Sequence, residues 1–348
     1  MKYILILIFV LLTSSGIAHS HEEWILSSDQ VTALSNIAPP SIFANKIMLS
    51  ASLVFGIGMV FLLILSIEKS GFRHCNKRLN YTFMPIGQEY AALIIRLSLG
   101  FMLLYASIGA LPKLGLENFG HPTLFVPEFD LRLLGETGKQ WIFIPYVQLA
   151  IAIMLILGIF VRLAIIGVFA LIGFGVYFFG INMFDCALHF IAPCLFLLYF
   201  GHGHYITSHL PKYNPKIENK IRLIFKWGYL YNIVLIITGI TFIYLGISKK
   251  VLNPNLIIMV LELANFPNLG LTYDVIALMM AFSEITVGFL LICGLFIRPV
   301  SVFLLSVIIT FSILLNTPFL FYGNLIGLLL VLGLFGNGTI CKNLLHRR

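Results

Sequence analysis

Glu284 is the one carboxylate placed well inside a long apolar run of this chain. It lies fourteen residues before Arg298, so about 20 Å of helix separates it from the arginine end of that run. An ionisable side chain at such depth costs roughly 2.5–3.5 kcal/mol to insert and normally faces a bundle interior or a cavity. There it can exchange a proton, meet a substrate or hydrogen-bond a quinone headgroup. Protonated and bonded to a nearby backbone carbonyl, it can equally do no more than hold two helices together. Gln148 stands fourteen residues before Arg162 in the same manner, which pairs one polar side chain with another.

A second group of polar residues gathers at one end of the apolar runs. Asp185, Cys186 and His189 open one of them, and Asp185 and His189, four apart, share a helix face. A carboxylate so placed can fix the tautomer of an imidazole that binds metal or shuttles a proton. Lys113, His121, Glu128, Asp130 and Arg132 fall on the same side, and with Asp185 and His189 they form the preferred pocket; ordinary polarity at a helix end explains them as well. His189 and His202 have a spacing that suits two haems stacked across a bilayer, but no second expected span offers partner histidines. His19 and His21, near the amino terminus, would suit Cu(II) if exposed by trimming of a leader. The five cysteines form no C-x-x-C pair, and no haem, flavin or iron–sulfur motif is present. Cys194 and Cys293 read as packing residues.

The elements that must position these groups follow from composition. Of 348 residues, 59% are apolar and 10% are charged, far too little polar surface for a soluble chain of this length. The apolar residues fall in blocks of about twenty, the length that crosses a hydrocarbon core. The expected fold is therefore all-α: a polytopic membrane protein with about nine spans, near 45–67, 91–111, 142–161, 163–180, 186–204, 228–247, 275–297, 299–316 and 319–335. Before them, Met1–Lys2, an apolar run to Leu12 and small residues to Ala18 have the order of a signal peptide, cut after Ala18 or Ser20. Threading the spans alternately puts loops 68–90 and 205–227 and the carboxyl-terminal tail on one side, with most of the Lys and Arg. That bias makes it the cytoplasmic side of a bacterial-type inner membrane and leaves the mature amino terminus outside. The net charge of +8 is then a topology signal, and no nucleic-acid partner is implied.

The chain also repeats itself at an offset of about 135–139 residues. Leu99-Gly100-Phe101 matches Thr238-Gly239-Ile240, Gly158-Ile159-Phe160-Val161-Arg162 matches Gly294-Leu295-Phe296-Ile297-Arg298, and Phe200-Gly201 matches Phe335-Gly336. Gln148 falls opposite Glu284. Each unit has a span, a long outer loop (112–141 or 248–274) and three tightly connected spans. Four spans are an even number, so the two units run parallel, with the 45–67 span outside the repeat. Gly100, Gly239, Gly288 and the Gly173–Gly175 region read as close helix contacts, and Arg162 and Arg298 as anchors of the cytoplasmic turns.

At Arg96-Leu97-Ser98-Leu99-Gly100, Lys113-Leu114 and the G-x-F-x-R turn at Gly158–Arg162, the chain resembles the DoxX-like family of four-helix membrane proteins. The second unit keeps Gly294, Arg298 and Lys249-Lys250, with Leu235 in place of Arg96. The resemblance covers 91–204 well and 228–338 more loosely. It implies a tie to thiosulfate:quinone oxidoreduction or another redox-linked complex.

The expected organisation is a signal peptide (1–20), an outer segment, first span and basic loop (21–90), two four-helix units (91–204 and 228–338) joined by a basic linker (205–227), and a tail (339–348). The leading functional reading is a membrane subunit of a quinone- or thiosulfate-linked system, served by a soluble periplasmic redox protein, with Glu284, Gln148, Lys113, Asp185 and His189 as site residues. A non-catalytic scaffold for metal or thiol handling and a small-solute transporter are the alternatives. The lipid bilayer is a partner in all three.

Overall fold

The computed structural model describes residues 34, 37–44, 49, 56–58, 60, 73–108, 123–126, 129, 141, 143–201, 227–268, 270–314 and 319–336, with the backbone alone at 73–81, 108, 181, 182 and 184–186. Ten α-helices are defined among them: α1 (Ser41–Ala44), α2 (Arg73–Ile108), α3 (Ile144–Leu157), α4 (Val161–Phe179), α5 (Ile181–Phe200), α6 (Trp227–Leu245), α7 (Pro254–Leu263), α8 (Tyr273–Cys293), α9 (Ile297–Leu314) and α10 (Gly323–Phe335). A π-helical segment, Gly246–Val251, continues α6, and a 3₁₀ turn, Phe319–Tyr322, leads into α10. Five of these stretches are long and apolar enough to cross a membrane: Thr82–Ser107, Val161–Phe179, Trp227–Val251, Tyr273–Cys293 and Ile297–Leu314. α3, α7, the Ala187–Phe200 part of α5 and Phe319–Phe335 are shorter apolar helices. The protein is thus all-helical where described, with several apolar helices compatible with an integral membrane protein. The expected span 45–67, the signal peptide, most of the outer loop 112–141, the linker 205–226 and the tail lie largely or wholly outside the described residues.

Two expectations about loops are corrected. The basic stretch 68–90, expected as a loop, is helical from Arg73 and runs without a break into α2. Lys, Arg, Asn and Gln do not stop a helix; they mark where it leaves the apolar layer. Pro85 sits inside this helix. The stretch 248–274, expected as an outer loop, holds the end of the π segment and α7. Pro254 starts α7 at a position where its missing N–H is no loss.

The fold divides into two compact units, one formed by Met1–Arg78 and Thr238–Cys293, the other by Leu79–Ile237 and Gly294–Arg348. In the first, α7, α8 and the π segment pack on one another. α6 and α8 cross at two glycines. A Cβ on Gly239 would come within 2.5 Å of the Gly288 carbonyl oxygen, and one on Gly288 would meet the Gly239 oxygen at the same distance. Two turns on, a Cβ on Gly246 would lie 3.1 Å from the Ala281 oxygen. Glycine at these places lets the two backbones touch, as small residues do between membrane helices.

In the larger unit, α3 to α5 pack in sequence, and α10 packs on α5 and α9. Gly100 of α2 faces the Ala152 oxygen and the Ile156 nitrogen of α3, each 3.2 Å from its would-be Cβ. Gly175 faces Leu124 and Met183, whereas among the described residues nothing lies within 4 Å of a Cβ on Gly173. The two G-x-F-x-R turns have one design. Gly158 and Gly294 take φ of 74° and 68°, and Phe160 and Phe296 take 49° and 51°. At Gly158 the N–H groups of Gly158 and Ile159 return to the Leu155 and Met154 carbonyls, closing the end of α3. The arginine then reaches across to a helix end. Arg162 Nε donates to Leu198 O (3.3 Å), while Arg298 Nε and Nη2 donate to Gly333 O and Leu334 O (both 3.1 Å). Gly201 and Gly336, both at positive φ, end those helices beside the guanidinium groups. A ring cluster of Phe196, Phe200, Trp227, Tyr231 and Phe335 closes this end, and the Tyr231 hydroxyl donates to Gly336 O (2.5 Å).

Candidate functional site

The Glu284 carboxylate meets an ammonium. Lys250 Nζ lies 2.9 Å from its Oε1, and the two side chains are 6% and 21% exposed. Lys250 comes from the π segment, and the antiparallel crossing of α6 on α8 brings it there. Gly239 lies against Gly288, and Gly246 lies against Ala281 and the Cβ of Glu284 (3.3 Å from its would-be Cβ). Helical side chains lean towards the amino terminus of their helix, so the Lys250 stem runs back towards the turn that Gly246 opens. A larger residue at 246 would push α6 away at the level of the carboxylate. α7 packs on both the π segment and α8, and its buried side chains are Leu256, Ile257, Val260 and Leu261. Asn253 Nδ2 donates to Ser248 O (2.8 Å) and Asn255 Nδ2 to Ile37 O (2.7 Å), which ties the ends of this layer. A charged pair in an apolar surrounding recovers its desolvation cost only with close geometry, and breaking it from one side costs about 3–5 kcal/mol. Such pairs within apolar spans mark places where ions, protons or ligands are handled. Single π turns within α-helices recur at functional sites as well.

Gln148 does something different. It is fully buried in α3 of the larger unit. Its Oε1 accepts from the Phe125 N–H (2.9 Å) and its Nε2 donates to Ser107 Oγ (3.1 Å). Ser107 Oγ donates in turn to Leu103 O (2.6 Å), and Thr123 Oγ1 to Ala106 O (3.0 Å). Gln148 is therefore a clasp that holds Thr123–Val126, with Phe125 at φ 62°, onto the end of α2. The loop closes over the bundle with Leu124, Phe125, Val126 and Phe129 buried, and Phe125 packs on Phe190 at 4.6 Å.

Of the other expected site residues, His189 is buried in α5. Asp185 lies on the same helix, with only its backbone described. Lys113, His121, Glu128, Asp130 and Arg132 lie outside the described residues, as do His19, His21 and His202. Among the described residues, no three His, Cys, Asp or Glu side chains are grouped as a metal site would need. Cys194 and Cys293 are free thiols, the first fully buried. Arg162 and Arg298, expected as anchors of the cytoplasmic turns, donate to helix-end carbonyls.

Two residues escaped the sequence reading of the site. Lys250 falls in the expected outer loop 248–274, yet it is buried and pairs with Glu284. Arg96, part of the Arg-Leu-x-x-Gly motif, is wholly buried inside the Thr82–Ser107 stretch. A charge amid an apolar run is the signal that marks Arg96. Lys250 stands at the end of its run and carries no such mark. Comparison of the chain with family models, curated proteins and solved structures finds no match to any of them.

Proposed function

We propose that the protein works at the Lys250–Glu284 pair, as a membrane subunit that binds the headgroup of a small membrane-soluble molecule, a quinone first. The pair itself carries this reading: a cation and an anion 2.9 Å apart at the meeting of α8 and a π turn. Lys250 offers an N–H to a quinone carbonyl. Glu284 offers a carboxylate that can relay one of the two protons that a quinone takes up on two-electron reduction. The electrons would come from a soluble periplasmic protein, in keeping with the resemblance to DoxX-like proteins.

The same reading has the chain as two tandem, parallel four-helix units in a bacterial-type inner membrane, with nine spans and the carboxyl terminus in the cytoplasm. Three local likenesses support the duplication. Gly100 on Ala152 and Ile156 has its counterpart in Gly239 on Gly288 and Ile292; the two G-x-F-x-R turns share backbone angles; and Arg162 and Arg298 each cap a helix that ends in a positive-φ glycine. The charge bias of the loops supports the orientation.

The test is mass spectrometry of quinone co-purifying in mild detergent, quantified per chain against an unrelated membrane protein. Near-stoichiometric quinone that is lost in Glu284→Gln is the expected result. Quinone at background in the native protein would sink this reading and turn attention to a scaffold or a transporter.

A further inference from the structure

The π segment holds one residue more per turn than an α-helix would. Its last bond runs from the Leu252 N–H to the Ile247 carbonyl, five residues back (2.9 Å). In an α-helix the Leu252 N–H would donate to Ser248 O instead. Here Asn253 Nδ2 serves the Ser248 carbonyl (2.8 Å), so that side chain fastens the π register.

Consider the turn relaxing to α geometry while α6, locked on α8 at Gly239, stays fixed. Every residue after the bulge moves on by one place, about 100° and 1.5 Å along the helix. The place that Lys250 holds in the π register then passes to Lys249. Both are lysines and both are buried, at 5% and 2% exposure. With an uncharged residue at 249, the shift would leave the Glu284 carboxylate facing a neutral side chain. The shift would also draw Pro254 and α7 along, since only Leu252 and Asn253 separate them from the π segment, and α7 lies on both that segment and α8.

We infer that Gly246–Val251 is a two-register switch, in which Glu284 exchanges Lys250 for Lys249 as the turn passes from π to α and α7 moves with it. The exchange keeps an ammonium opposite the Glu284 carboxylate in both end states. It gives the site a way to open and close over a ligand. That consequence rests on the proposed function; the exchange itself does not.

Isotope-edited infrared spectroscopy of ¹³C-glutamate protein, without quinone, reads whether Glu284 is ionised, with the Glu284→Gln difference spectrum assigning the band. The expected pattern is an ionised Glu284 in the native protein, in Lys250→Met and in Lys249→Met, and a protonated one in the double variant. Protonation in Lys250→Met to the extent of the double variant would overturn the exchange, as would an ionised carboxyl in the double variant. Asn253→Leu tests the register itself, and stands if Lys250→Met fails to fold. Freed from the π register, Asn253→Leu with Lys249→Met should place a methionine at the carboxylate and protonate it, while Asn253→Leu alone leaves it ionised. Ionised Glu284 in that pair would overturn the switch. Because no ligand is present, these outcomes are separable from the quinone result.

Discussion

Gln148 and Glu284 each stand fourteen residues ahead of the arginine of a G-x-F-x-R turn, each as the long polar side chain of an apolar helix. What surrounds them differs. The Gln148 amide both donates and accepts, and its neighbours meet it on both counts: a backbone N–H on its oxygen and a serine hydroxyl on its nitrogen. It carries no charge, so full hydrogen bonding settles its burial cost. Glu284 meets a lysine, and the pair remains a strong dipole that an apolar isostere would replace with no loss of stability. One position has become a clasp for a loop. The other keeps ionisable chemistry where packing alone does not need it, and that contrast is the main reason to place function at Glu284.

The closest helix crossings give the largest test of how far the likeness between the two regions extends. Gly239→Ala drives a methyl against the Gly288 carbonyl, backbone that cannot turn aside. At Gly100 the nearest atom is the Ile156 side chain, 2.7 Å away, which can rotate. We expect Gly239→Ala to cost about 3 kcal/mol and Gly100→Ala about 1 kcal/mol, near the two ends of the overpacking range. Thermal unfolding in mild detergent checks this, and equal costs would show that the two crossings are packed alike.

These glycines were legible because a residue without a side chain in an apolar helix has few other uses. The helices were legible for a similar reason: runs of about twenty apolar residues have little else to become. The start of α2 at Arg73 and the presence of α7 were not, because charge reports the edge of the apolar layer and not the end of a helix. The Lys250–Glu284 pair was hidden for a third reason. Its members are far apart in sequence and on different elements, and one extra residue in a helical turn decides which lysine faces the carboxylate. No periodicity in the sequence records that residue.

At Gln148 the expected loss is next in size. Gln148→Leu strands the Phe125 N–H and removes the partner of Ser107, which should cost about 2–3 kcal/mol. Bound quinone should be unchanged. Faster proteolysis within the loop around residues 123–129, at native ligand content, is the outcome that marks a clasp. Loss of ligand here would erase the contrast with Glu284.

Glu284→Gln should behave in the opposite sense. The amide still offers an oxygen to Lys250, so the fold loses only about 1–2 kcal/mol, less than a buried pair broken outright. Ligand and any linked turnover should be lost. A variant that unfolds but binds, or one that keeps native turnover, would move the working site elsewhere.

The smallest effect separates the two arginines. Among the described residues, Arg298 makes two bonds to carbonyls, stands beside the Gly336 end and lies 6.0 Å over the Phe83 ring, whereas Arg162 makes one longer bond. Lysine has neither the planar fork nor the stacking surface, so Arg→Lys removes what the fork adds at each turn. Arg298→Lys should cost about 1–1.5 kcal/mol and Arg162→Lys about half of that, on the usual scale of a net hydrogen bond. Both variants should keep native ligand content, since each arginine acts on a helix end. If Arg162→Lys proved the costlier of the two, the first turn would hold a contact that its single bond does not account for, and the closer likeness between the turns would lie in their backbone angles alone.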